Sequence, residues 1–153
     1  MKKYHYTMTI DAQAEKDADE KMQALIISYL VSCISLIALD YLWLWIIMQW
    51  HIQKRFWTLM RQPILMWPAL AFYILYTVAL IFFAVYPARN LWLRYAVGYG
   101  AALGFTCYMT YDLTNRATLK SRPVAMVIPD ILWGTVVSAI VWAIWYSIYM
   151  KLA

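Results

Sequence analysis

The chain of 153 residues is 65% hydrophobic, only 14% charged and carries a formal net charge of +5. Soluble globular domains hold roughly a quarter of their residues as charges, so this balance excludes an ordinary soluble domain and equally a disordered polar chain. It describes an integral membrane protein, with no nucleic-acid partner expected and no room for a separate soluble catalytic module.

Residues 1–21 form a polar tail in which Lys2, Lys3 and Lys16 face Asp11, Glu15, Asp17, Asp19 and Glu20. With no early apolar stretch it lacks the pattern of a cleavable signal peptide. It reads as a solvated, partly helical tail, with a partner-binding segment as the alternative. A bilayer core of about 30 Å needs about 20 apolar residues per helix. The remainder, 22–153, offers four such runs, at about 22–48, 64–86, 91–111 and 124–150. The first run reads as an uncleaved anchor. At about 100° per residue, Ser28, Ser32, Cys33, Asp40 and Trp43 fall within an arc of about 140°, shared with Leu25, Leu36 and Ile47. The other faces carry Ile26, Ile27, Leu30, Ile34, Ile37 and Leu44, suited to acyl chains. After it, Gln49 to Arg61 interleaves Trp50, Ile52, Phe56, Trp57 and Met60 with basic residues, as an interfacial segment would.

In the third run Gly100 and Gly104 have the small-residue spacing that brings helix backbones together. The run ends on Tyr111-Asp112-Leu113-Thr114-Asn115-Arg116, where several donors and acceptors emerge at once. They either cap the helix or bind a polar headgroup. In the fourth run Asp130, Gly134, Val137, Ser138, Val141 and Trp145 follow one helical stripe, so Asp130 is expected to face a neighbouring helix. The alternative is that Asp130, directly after Pro129, caps a helix beginning at Ile131.

Beyond Glu20 the only acidic residues are Asp40, Asp112 and Asp130. Ionisable groups at membrane depth are rare and by default mark a functional site. Four antiparallel spans place all three at one end of the bundle. Asp40 and Asp130 would lie roughly 9–14 Å inside that surface, at about 1.5 Å per residue. Asp112 would sit nearer the rim. Trp43 and Trp133, each three residues from an aspartate, either wall a pocket there or pack the bundle. Lys54, Arg55, Arg61, Arg116, Lys120 and Arg122 lie towards the same end, against Lys16, Lys21, Arg89, Arg94 and Lys151 at the other. That bias is too even to orient the chain strongly, and it leans towards a cytoplasmic placement of the first and third connections.

His5 and His51 are the only histidines, so internal bis-histidine haem ligation is not expected, and no spacing specifies a metal site. Cys33 and Cys107 lie within spans and read as packing residues. No serine-esterase elbow, phosphate loop or nucleotide fingerprint is present, and no cofactor is expected.

Asp40 with Leu42 and Trp43, the Tyr111-Asp112-Leu113-Thr114-Asn115 run with Ala117-Thr118-Leu119, and Asp130 with Trp133-Gly134 together carry a resemblance. From about Ala24 to Met150 the chain resembles an uncharacterised family of small bacterial four-span membrane proteins. The resemblance implies that fold and no assigned reaction; members tend to be encoded near lipid-modifying enzymes. It does not reach the polar leader.

The expected fold is an all-α, four-helix, up-and-down membrane bundle, multi-pass in a bacterial cytoplasmic (inner) membrane, touching membrane lipids. Three function classes compete. In the first, a lipid or lipophilic small molecule is bound or modified in a polar pocket. Asp40 and Asp130 are its acid or base candidates, and Trp43, Tyr111, Asp112, Thr114, Asn115, Arg116 and Trp133 bind the ligand. The second is a structural or assembly subunit with a membrane-protein or homo-oligomeric partner. The third, a small proton-coupled transporter, is disfavoured because no internal repeat or broken helix pair is seen.

Overall fold

The computed structural model describes residues 2–50, 63, 65–85, 92–118 and 124–153. Four helices carry the fold: α1 (Lys2–Trp50), α2 (Met66–Leu80, running into a π-helical turn at Ile81–Val85), α3 (Leu93–Thr118) and α4 (Val124–Leu152). Among the described residues, Ala12–Ile46, Met66–Phe83 and Val124–Leu152 are long and apolar enough to cross a membrane. The chain is therefore an all-α, multi-pass membrane protein. The 26 residues of α3 reach about 39 Å at 1.5 Å each, enough for a bilayer by length. Its composition is more polar than that of the other three, which keeps it outside that set.

Three helix boundaries bear on the sequence reading. The polar leader is helical, since α1 runs unbroken through it for 49 residues. Its Ala-, Glu- and Lys-rich stretch favours helix, and Gln13 bonds Asp17 (2.8 Å) while Lys16 pairs with Glu20 (3.8 Å), each four residues on. Residues 12–23 are solvent-exposed. At the other end of the chain, α4 begins at Val124 and passes through Pro129, so Asp130 sits in its second turn and does not cap it. A proline this close to a helix start removes only one intrahelical bond, that to the Ala125 carbonyl. Finally, α3 continues past Tyr111 to Thr118. Thr106, Thr110, Thr114 and Thr118 each donate a hydroxyl to the carbonyl four residues back, at 2.6–2.8 Å. Those side chains need no partner outside the helix.

Packing follows rows of every fourth residue, the ridges along which helices interdigitate. On α1 the buried row is Ala24, Ser28, Ser32, Leu36 and Asp40; on α3 it is Ala96, Gly100, Gly104 and Asp112, with half-buried Tyr108 between the last two. Cys33 and Trp43 are half-buried, and Leu25 faces outward with Ile26, Ile27, Leu30, Ile34, Ile37 and Leu44, so the buried stripe is narrower than the expected arc. The central helix is α4, packed most closely on α3 and next on α1. It offers two adjacent rows: Trp133, Val137, Val141 and Trp145, and Gly134, Ser138 and Trp142. Glycine makes the α3–α4 approach close. A methyl group at Gly104 would overlap the Gly134 carbonyl and Ser138, and one at Gly100 would stand 2.9 Å from the Trp142 Cβ. Gly134 receives the ring of Tyr108. Rising numbers on α3 meet falling numbers on α4, so the two are antiparallel. The link from α2 to α1 is weaker, with the Tyr29 hydroxyl donating to the Ile74 carbonyl at 3.3 Å.

Candidate functional site

Asp40 is 7% exposed near the end of the α1 row, and its Oδ1 accepts a 2.9 Å hydrogen bond from the indole Nε1 of Trp133 on α4. Trp43, one turn further along α1, stacks on the same indole with ring centres 4.7 Å apart and planes 3° from parallel. The three residues thus form one clasp between α1 and α4. A buried carboxylate is tolerated in such a place because a donor faces it.

A second polar chain crosses from α2 to α4. Ser138 donates its only hydroxyl hydrogen to the Gly134 carbonyl (2.6 Å), so the 2.8 Å contact with Tyr76 must be donated by the tyrosine. Tyr76 is 8% exposed and Ser138 is fully buried. Next to this pair lies a partly open cavity of about 370 Å³, lined by Phe72 and Tyr76 of α2, Cys107, Tyr108 and Tyr111 of α3, and Asp130 of α4. The Phe72 and Tyr76 rings lie nearly parallel (5.3 Å between centres, 21°), and Tyr108 meets Tyr76 edge-on (6.4 Å, 75°). Asp40 meets Trp133, and Tyr108 and Tyr111 share the cavity wall with Asp130. Late α1, late α3 and early α4 therefore share one end, as antiparallel spans require.

The expected site residues divide into three groups. Asp40, Trp43 and Trp133 meet in the clasp. Asp130, half-buried, and Tyr111 line the cavity. Asp112 is fully buried at the end of the α3 row, one turn beyond Tyr108. Thr114 is exposed, with its hydroxyl bonded within α3 to the carbonyls of Thr110 (2.6 Å) and Tyr111 (3.0 Å). Asn115 is half-buried, and Arg116 is exposed in the last turn of α3, where a cation complements the helix dipole. His51, Lys54, Arg55, Arg61, Lys120, Arg122 and the interfacial segment after Trp50 lie outside the described residues. Among the described residues no three His, Cys, Asp or Glu side chains cluster as a metal site would. Cys33 and Cys107 are free thiols.

Phe72, Tyr76 and Tyr108 were not singled out by sequence reasoning, and Cys107 was read only as a packing residue. Tyr108 carried a usable signal, since it continues the four-residue spacing of Gly100 and Gly104. Phe72 and Tyr76 carried none, because an aromatic within an apolar span looks the same whether it faces lipid or a cavity.

A family model described as predicted membrane protein (DUF2177) matches residues 25–147 of the chain. No curated protein and no solved structure matches it.

Proposed function

The chain belongs to this DUF2177 family of predicted membrane proteins, and from that premise we propose that it binds a lipid or lipophilic small molecule in the cavity between α2, α3 and α4. One observation carries the reading: an opening of about 370 Å³, within the usual size range of ligand sites, with a carboxylate on a mainly aromatic wall. Asp130 and Tyr111 touch the bound molecule. Asp130, on the cavity wall, is also placed to act as an acid or base. Asp40, Trp43 and Trp133 are positioning residues that hold α1 against α4. Asp112, Thr114, Asn115 and Arg116 lie further along the same helix, towards the face where a polar headgroup would rest. The membrane is the bacterial cytoplasmic one, as the resemblance to small bacterial proteins implies.

The test is native mass spectrometry of the detergent-purified chain beside Cys107→Trp, which fills the cavity from its wall. Wild type should carry a bound mass at defined stoichiometry, and the variant should lose it while unfolding at an unchanged temperature. A bare wild type, or one with unselective adducts, overturns the reading in favour of an assembly subunit. One feature supports that second reading: the exposed, charged helix of residues 12–23, which offers a partner a rigid surface.

A further inference from the structure

Four of the six described residues on the cavity wall, Phe72, Tyr76, Tyr108 and Tyr111, are aromatic. Two of these rings are pinned from behind. Tyr76 is held to α4 through the hydrogen bond that its hydroxyl donates to Ser138. Tyr108 lies with one face on Gly134, since a methyl group there would meet its ring atoms Cγ, Cδ1 and Cδ2 together. Its opposite face is turned away from α4. Phe72 lies 21° from Tyr76, whereas Tyr108 is inclined to Tyr76 by 75°. Aromatic rings prefer to meet either offset-stacked or edge-to-face, with centres about 4.5–7 Å apart. A flat guest stacked on Tyr76 or on Tyr108 stands steeply to the other ring, and so makes both favoured contacts at once. A flexible acyl chain gains only burial from the same walls.

We infer that the cavity receives a planar ring system carried on a lipophilic tail. This deepens the binding reading above and rests on it. At roughly 30 Å³ per water-sized group, the volume holds about a dozen non-hydrogen atoms, enough for two fused six-membered rings. The tail leaves through the open side into the lipid. Because α4 fixes Tyr76 and Tyr108, two walls stand in place before the guest arrives, and binding carries little ordering cost for them. Phe72, exposed on α2, extends the stacked side beyond Tyr76. A lipophilic quinone and an all-carbon ring lipid share this shape.

The experiment measures retention of dodecylnaphthalene and of dodecyldecalin, its saturated and non-planar counterpart, by the purified full-length chain in lipid nanodiscs, using native mass spectrometry. The two probes match in carbon count and differ in flatness and aromaticity. Wild type should prefer dodecylnaphthalene by about tenfold or more. Phe72→Leu, at an exposed position, should lower that preference by several-fold, while Phe72→Trp should keep it. Should Phe72→Leu fail to fold, Tyr111→Leu, also at an exposed position, should lower the preference in the same way. A dodecylnaphthoquinone probe separates the two sources. Retention above that of dodecylnaphthalene supports a quinone, and retention equal to it or below supports an all-carbon ring. Equal retention of the naphthalene and decalin probes by wild type, with both lost in Cys107→Trp, overturns the ring inference while the lipophile-binding reading stands. Retention of neither probe, or retention that survives Cys107→Trp, overturns both.

Discussion

At the scale of single residues, the buried carboxylate of Asp40 and the indole of Trp133 form the most specific contact in the bundle. Trp133→Phe keeps an aromatic ring but removes the indole donor to Asp40, leaving a buried acceptor short of that partner. It should destabilise the fold by about 1–3 kcal/mol in reversible unfolding from mixed micelles. Asp40→Asn keeps an acceptor oxygen at the same place and should cost less than about 1 kcal/mol. Near-UV circular dichroism gives an independent check: the stacked Trp43 and Trp133 indoles should produce an exciton signal lost in Trp43→Phe and Trp133→Phe alike. A signal that survives either change would rule out the stack. Thr114 illustrates the opposite case. It drew attention as a headgroup ligand because a hydroxyl emerging from an apolar run wants a partner, yet the structure satisfies it within its own helix. Thr114→Val should therefore change stability by less than about 0.5 kcal/mol and leave ligand retention intact.

At the scale of helices, the glycines separate packing from propensity. Gly104 faces the backbone of α4, which has nowhere to move, whereas Gly98 has open space around its Cβ position. Gly104→Ala should cost about 1–3 kcal/mol or block assembly. Gly98→Ala should stabilise by roughly 0.5–1 kcal/mol, the helix-propensity gain alone. Equal effects on unfolding would mean that α3 and α4 do not cross at Gly104. The pairing of Gly100 with Gly104 was legible in the sequence because four-residue spacing puts small side chains on one helix face. What faces them was not, because spacing within one helix says nothing about register against another. The end of α3 was hidden for a related reason: polar residues after an apolar run signal a membrane boundary, and here they signal threonines that bond backward along a continuing helix.

On the scale of the whole molecule, α1 is the outlier. Its 49 residues reach about 74 Å, more than twice the hydrocarbon thickness of about 30 Å. Lys16, Glu20 and their neighbours cannot lie in lipid, so the leading part projects from the membrane as a helix. Residues 12–23 are exposed. A chain beginning at Met22 should unfold within about 0.5 kcal/mol of the full-length protein. A larger loss would place the leader in the fold itself. If the leader serves assembly, that truncation should release a partner while ligand retention persists.

The sequence by itself determined that this is a helical membrane protein, that its lipid-facing surface includes Ile26, Ile27, Leu30 and Ile34, and that carboxylates gather at one end. Bilayer thickness dictates helix length, the absence of water dictates helices, and antiparallel order brings alternate ends together. Only the tertiary structure decided that Asp40 meets Trp133, that Asp112 is wholly buried, and that the cavity carries Asp130 on an aromatic wall. Each depends on how far one helix slides and turns against the next. Close packing of a few small residues, Gly104 and Gly134 above all, sets that register, and no single helix encodes it.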